Sequence, residues 1–458
     1  MGRVLKLKKV IPVVVVTTLL CVLLLGVCGV QAAGKPYEIV WYTIGTPQKD
    51  IPVVMAELSK YTLKKINATV KMFQYDWGEY NDKMRVIISS GEPYDICFTC
   101  SWSNNYDANV TRGAFLPLND LLQKYGKGIT KAVHPLFLEA NRIGGKLYAI
   151  PVNKELTPQS RWVFNKRLVD KYHIDITKAT TLESLEPMLK TVKDGEQTLD
   201  DVLVVRNDYN LPRCTADYEF IGPQELGLAV PMGSKDCQVV NYYHEPSFKK
   251  GLATVRGYYL AGYLKKDAST LTSSDEVYKT GNWFVREAGW LPGADQIWTR
   301  SEKDPVVSTP IAGKFYISAN QLSGSMMAIS VTSKNPGKAM QFLNLLNTDR
   351  YVRNLVDSGI ENVHYKMVNG RQVDLERGTG DYNMPSFSLG NRFICNLYTD
   401  DPADLWQQYE KLNASGTKSP IIGFKPNLEG IKKEIAAIQN IHAEYYRPLV
   451  TGTVDPDE

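Results

Sequence analysis

Tyr37-Glu38-Ile39-Val40-Trp41-Tyr42-Thr43, then Ala68 to Tyr75, then Tyr94 to Thr99, are three short apolar runs of the kind that form strands. A helical pattern separates each from the next. Asp50 is placed to cap the first helix, with Pro52 in its first turn and Val54, Leu58 and Tyr61 on one face. Tyr80, Met84, Ile87 and Ile88 mark the second, which Gly91 and Pro93 stop. The alternation predicts an α/β fold with a mainly parallel sheet covered by helices on both faces. Ligands of such sheets lie beyond the carboxyl ends of the strands. Those exits are Tyr42 to Thr46, Asp76 to Tyr80 and Ser101 to Asn105, and all three carry aromatic or amide side chains.

Upstream, Arg3, Lys6, Lys8 and Lys9 precede an unbroken apolar and small run from Val10 to Val30, and Gln31-Ala32-Ala33-Gly34 opens onto polar sequence. This is the layout of an export signal over residues 1–32. Two exits overlap at its end. Ala32 fits ordinary cleavage, and Leu25-Gly26-Val27-Cys28 is an imperfect lipobox that would place a lipid on Cys28. The run is also long enough to remain as an anchor. Removing the leader takes away four basic residues and no acids, so the formal charge of +4 falls to zero. A neutral mature chain carries no electrostatic argument for nucleic acid or an anionic surface.

The remaining length of about 425 residues suits about two domains. Five cysteines stay after Cys21 and Cys28 leave, too few and too uneven for a disulfide framework. Cys214 with Cys237 is a possible single bridge. Cys97 and Cys100 have redox spacing but follow a strand-like stretch with no helix start, so a structural role is expected.

The stretch from about Leu118 to Arg142 reads as helical, and Gly144-Gly145-Lys146-Leu147-Tyr148-Ala149-Ile150-Pro151 as a turn and strand where the chain crosses into a second domain. Leu182 to Lys193 and Phe248 to Leu264 read as helices, Ser325 to Val331 as a strand, and Asn335-Pro336 as a helix start. Trp283, Phe284, Trp290 and Trp298, interrupted by Gly289 and Gly293, read as loop. A last helix, about Leu428 to Tyr446, carries Ile431, Ile435, Ile438 and Tyr445 in one stripe.

Several segments in order resemble the extracellular solute-binding proteins of bacterial ABC importers, in the carbohydrate-type branch. They are Gly145 to Pro151, Met327-Ala328-Ile329-Ser330, Ser333-Lys334-Asn335-Pro336, Ala339 and Phe342-Leu343. Within that branch, five further segments are similar to the large Gram-positive lipoproteins with a C-terminal domain of unknown function: Ser90-Gly91-Glu92, Ser101-Trp102, Gly113-Ala114-Phe115-Leu116, Gly359-Ile360-Glu361 with His364-Tyr365, and Ser419 to Pro456. Members of that group tend to continue past Asp455-Pro456 into another helix, so a C-terminal truncation is expected.

The resemblance implies a two-lobed, periplasmic-binding-protein-like fold in which hinge crossovers join two α/β lobes that close on a ligand. The first lobe is expected over 33–150 with a return at about 325–380, the second over 151–324, and a family-specific region over 381–458. It also implies capture of an oligosaccharide or related glycoside for a membrane permease, by a monomer that is lipid-anchored at the outer membrane face or secreted, with no cofactor.

A sugar offers a weakly apolar face for aromatic rings and an edge of hydroxyls for polar side chains. The first-lobe candidates are Tyr42, Trp77, Tyr80, Trp102 and Asn105. The crossover and second lobe offer Lys154, Glu155, Trp283, Trp290 and Asn320. Gly359 to Glu361 with His364 is expected to fix a turn. The rival class is an exported glycan-active enzyme, which needs two carboxylates such as Asp76 with Glu79 or Glu219 with Glu287. Sequence spacing places neither pair across a cleft, and no nucleophile elbow, HExxH or phosphate loop is present. The five histidines lack ligand spacing, so no metal is expected. A third class is a surface sensor or adhesion protein that keeps the binding fold.

Overall fold

A computed structural model describes residues 34–199, 201–204, 217–270 and 275–458. The leader with Cys28, and Cys214, lie outside the described residues; Cys237 carries a free thiol. The first lobe opens with β1 (Tyr37–Ile44), α1 (Ile51–Ile66), β2 (Ala68–Tyr75), α2 (Tyr80–Ser90), β3 (Ile96–Thr99) and α3 (Tyr106–Thr111). After β4 (Ala149–Pro151) the chain crosses to the second lobe. There it builds β5 (Gln159–Asn165), α4 (Glu186–Gly195), β6 (Asp201–Val204), β7 (Tyr218–Phe220), α5 (Pro246–Leu260), β8 (Trp283–Trp290), α6 (Ala294–Ser301) and β9 (Val306–Pro310). It returns through β10 (Tyr316–Ile317) and α7 (Ala319–Leu322) to β11 (Met326–Ile329), α8 (Pro336–Thr348) and α9 (Arg350–Ser358). The last stretch holds α10 (Leu405–Ser415), β12 (Thr417–Lys418) and α11 (Lys432–Val450).

The first sheet has the order β2-β1-β3-β11-β4, and β1 runs parallel to both neighbours. Only β11 runs against the others. The second sheet has the order β9-β5-β8-β6, and there β5 alone runs against the rest. In both sheets the reversed strand is the first one laid down after the chain crosses from the other lobe. A chain arriving from outside the sheet enters from the crossover side, opposite to strands that helices feed back.

Both faces of the first sheet are covered, so β1 is apolar on both sides. Ile39 and Trp41 pack in the cluster with α1 and α8, and Tyr42 and Ile44 in the cluster with α2. One helix expectation and one loop expectation change. Gly126 and the His134-Pro135 junction divide the stretch after Leu118 into Asn119–Tyr125, Lys127–Ala132 and Pro135–Ala140. The tryptophan-rich stretch is strand β8 followed by α6, with Gly293 at φ +83° in the turn between them.

The last stretch divides its contacts between the lobes. β12 pairs with β10 between them, and Val450, Tyr446 and Leu449 of α11 pack in the second-lobe core. The apolar stripe of α11 is not its packing face, since Ile431, Ile438 and Tyr445 are exposed. The helix is held by its end, where Arg256 donates to the Gly452 carbonyl at 2.9 Å and Arg447 to that of Ser269 at 3.0 Å.

Asp50 stands before α1 but makes no side-chain cap. Its carboxylate turns inward to Arg377 and to the buried His364, whose Nε2 lies 3.1 Å away. His364 Nδ1 accepts from the Ile360 N–H at 2.9 Å, so Nε2 carries the proton that Asp50 receives. The bond from Arg377 holds the Asp50 carboxyl below its usual pKa; burial opposes this and His364 adds to it. A depressed pKa stabilises the fold above the unfolded value of about 3.9, and that contribution is lost as pH falls through the folded value. Asp50→Asn is therefore expected to lower the thermal midpoint at pH 7, and the gap to the native chain should shrink below about pH 4. Melting curves across a pH series check it.

Candidate ligand-binding cleft

Two exposed rings stand at the carboxyl ends of β2 and β3, and a half-buried third joins them. Asp76 accepts from the Trp77 N–H at 2.8 Å and fixes the turn after β2, leaving Trp77 44% exposed. After β3, Trp102 is 51% exposed, and its indole N–H donates to the Gly324 carbonyl at 2.9 Å. Phe387, from the turn Ser386–Ser388, completes the group. Trp77 stacks on Trp102 at 6.3 Å and 28° and on Phe387 at 6.1 Å and 19°, and Trp102 meets Phe387 at 6.4 Å. The platform is an apolar, partly wet surface of the kind that stacks on a sugar face.

The second lobe offers a different jaw. Trp290, at the carboxyl end of β8, carries the Arg161 guanidinium over its ring at 3.6 Å. Arg161 also donates to Ser308 Oγ at 3.3 Å, and Ser308 donates to Asp295 at 2.7 Å. Burial lowers the Arg161 pKa and Asp295 opposes it. A stacked, tethered guanidinium presents its free donors in a fixed plane. Between the lobes a cavity of about 130 Å³ is lined by Pro292 and Ile297 of the second lobe, by Asp357, Ser386 and Arg392, and by Trp406 of α10.

Several expected site residues lie elsewhere. Tyr42 is buried against α2, stacked on Phe73 and Tyr75, and its hydroxyl donates to Glu92 at 3.1 Å. β1 runs two residues past Tyr42, which places its ring inside the lobe. Tyr80 is buried, and its hydroxyl donates to the Phe98 carbonyl at 2.7 Å. Trp283 is buried at the start of β8, with Arg286 held 5.5 Å from its ring.

Lys154 and Glu155 are each 7% exposed and paired at 3.0 Å, with Arg392 on Glu155 at 3.3 Å. Burial pushes the Glu155 pKa up, but Lys154 and Arg392 outweigh it and leave it lowered. Their charges are spent on each other, within the crossover. Asn105 caps α3, accepting from the Ala108 N–H at 2.9 Å and donating to the Ser101 carbonyl at 3.1 Å. Asn320 is exposed on α7, four residues before the Gly324 that Trp102 reaches. Of the ten, Trp77 and Trp102 share the platform, and Trp290 lies under Arg161 in the second lobe.

One member of each carboxylate pair is engaged, Asp76 by the Trp77 N–H and Glu219 by a helix start. Glu219 is buried in β7 and accepts from the Ala319 N–H at 2.7 Å, anchoring the start of α7. Burial raises its pKa. Cys97 and Cys100 are buried, and burial pushes both thiols up to about 12. Phe387 and Arg161 were not among the expected residues. Phe387 sits in an irregular stretch without periodicity, and Arg161 opens a strand that gives no sign of the Trp290 beside it.

Two α/β lobes joined by crossovers, with a ring platform on the first and a guanidinium fixed over Trp290 on the second, have the architecture of a two-lobed receptor. The family described as bacterial extracellular solute-binding protein matches residues 49–352, and this chain belongs to it. The family described as domain of unknown function DUF3502 matches residues 420–458. A carbohydrate ABC transporter substrate-binding protein of Streptococcus pneumoniae serotype 4 is 32% identical over 432 residues, 93% of this chain and 86% of that protein. The crystal structure of the N-glycan transport solute binding protein NgtS from Streptococcus pneumoniae superposes with a TM-score of 0.84 at 32% identity, over 92% of each chain. The same protein in complex with Man5GlcNAc gives 0.74 over the same shares.

The burial of the rings separates two effects. Trp283→Ala is expected to cost about 3–5 kcal/mol of stability as a core truncation. Trp77→Ala should cost less than about 1 kcal/mol, as a surface change. Denaturant unfolding of both variants compares them.

Proposed function

We propose that this chain is the substrate-binding component of an ABC importer. It captures an oligosaccharide outside the membrane and delivers it to the permease without chemical change. The observation that carries the reading is the platform of Trp77, Trp102 and Phe387 beside the carboxyl ends of β2 and β3. Sugar rings stack there, while Arg161 and the cavity's polar groups hydrogen-bond the hydroxyl edges. The 32% identical relative that transports N-glycans supports a ligand of mannose and GlcNAc units.

Closure of the lobes on the ligand is the signal to the permease. The two NgtS structures share one sequence, yet differ in how well they superpose on this chain, 0.84 against 0.74. That supports two lobe arrangements, with this chain nearer the one without Man5GlcNAc. The receptor works as a monomer at the outer membrane face, held by a lipid on Cys28 or released after Ala32. Incorporation of a fatty-acid analogue into the mature chain separates those two routes.

Calorimetry with mannose–GlcNAc oligosaccharides tests the ligand class, and unchanged glycan after long incubation is expected. Trp102→Ala should weaken binding by about 1–3 kcal/mol, roughly 5- to 150-fold, if its ring stacks on ligand. A folded variant with native affinity would remove Trp102 from the site.

A further inference from the structure

Beyond Trp102 the rim of the first lobe carries a second concavity of about 310 Å³, which shares no lining residue with the cavity between the lobes. It is lined by Asn81 and Arg85 of α2, by Ser101 and Trp102, and by Asn105 and Arg112. Its back wall is rigid. Asn104 sits at φ +42°, its amide donates to the Phe98 carbonyl at 2.9 Å, and its Oδ1 accepts from Asn109 at 2.8 Å. Asn81 Oδ1 accepts from the Ser103 hydroxyl at 2.9 Å and from the Asn104 N–H at 2.7 Å, which ties α2 to the loop after β3.

These bonds leave the Asn81 amide N–H groups and the Arg112 guanidinium lining the groove with no partner among the described residues. Two sets of donors then converge on a space bounded by one face of an exposed indole. Donors of this kind match hydroxyl oxygens and the carbonyl of an N-acetyl group. Apart from Trp102 and Ala108 the lining side chains are polar, unlike the apolar centre of a protein interface.

We propose that this groove is a second sugar subsite, which takes an outlying unit of a long or branched glycan whose main stack lies on Trp77, Trp102 and Phe387. The inference rests on the oligosaccharide reading above. Trp102 borders both spaces, so a chain leaving the platform passes over its ring into the groove. A disaccharide fills the platform and stops short, and a longer glycan engages both. The receptor therefore prefers length and branching, and Arg112 and Asn81 set that preference.

The test uses the mature chain with Man5GlcNAc and with a single mannose–GlcNAc disaccharide, measured by calorimetry. The readout is the ratio of the two affinities. Arg112→Ala removes the unpartnered donors, and Ala108→Trp fills the groove from α3. Each is expected to lower the ratio by about tenfold, the worth of one hydrogen bond to a charged group. Native ratios in both folded variants overturn the subsite. Native ratios with impaired uptake in cells overturn it too, and assign the groove to the permease. If the native chain binds neither glycan, the oligosaccharide reading itself fails, a result distinct from an unchanged ratio.

Discussion

The backbone of the first crossover, Val152 to Pro158, leaves one sheet before it reaches the next, and it is buried. Buried N–H and C=O groups outside a sheet need partners from somewhere. Here they come from residues more than 150 positions later. The Val152 N–H donates to Ser325, the Asn153 carbonyl accepts from Arg392, and the Leu156 N–H donates to the Asn413 side chain at 2.9 Å. Asn153 adds a side-chain bond to Asn391 at 2.9 Å. The return crossover and the last stretch of the chain therefore fasten the first crossover, and the charges of Lys154, Glu155 and Arg392 belong to that seam.

The same segments carry the aromatic platform. Ser325 donates to the Phe387 carbonyl at 2.7 Å, Gly324 receives the Trp102 indole, and Ser323 receives the Ser101 N–H at 2.9 Å. Three consecutive residues of the return crossover thus hold two of the three platform rings. A hinge motion that shifts residues 323–325 shifts the rings with it, and a ligand that fixes the rings biases the hinge. This gives ligand capture and lobe closure a shared physical element.

Much of the fold was legible in the sequence because alternation and helix stops are local. The β1-α1-β2-α2-β3 order, the α8 start capped by Asn335, and the crossing near Pro151 all follow from residues within a few positions of each other. The breaks after Leu118 were underweighted, although Gly126 and Pro135 are local signals as well. The glycines around Trp283 to Trp298 misled in the other direction. They lie at the ends of a strand buried between two neighbours, where pairing overrides the preference for loop.

The sequence by itself determined the alternation of strand and helix and the supply of aromatic residues at strand exits. It did not determine which of them meet a ligand. Tyr42 and Trp77 look alike as exit aromatics, yet a covering helix seals the first and the second stays 44% exposed. Lys154 and Glu155 look like a binding pair until Arg392 arrives from the far end of the chain. Exposure and pairing depend on what packs against a residue from elsewhere, and only the tertiary structure brings those partners together.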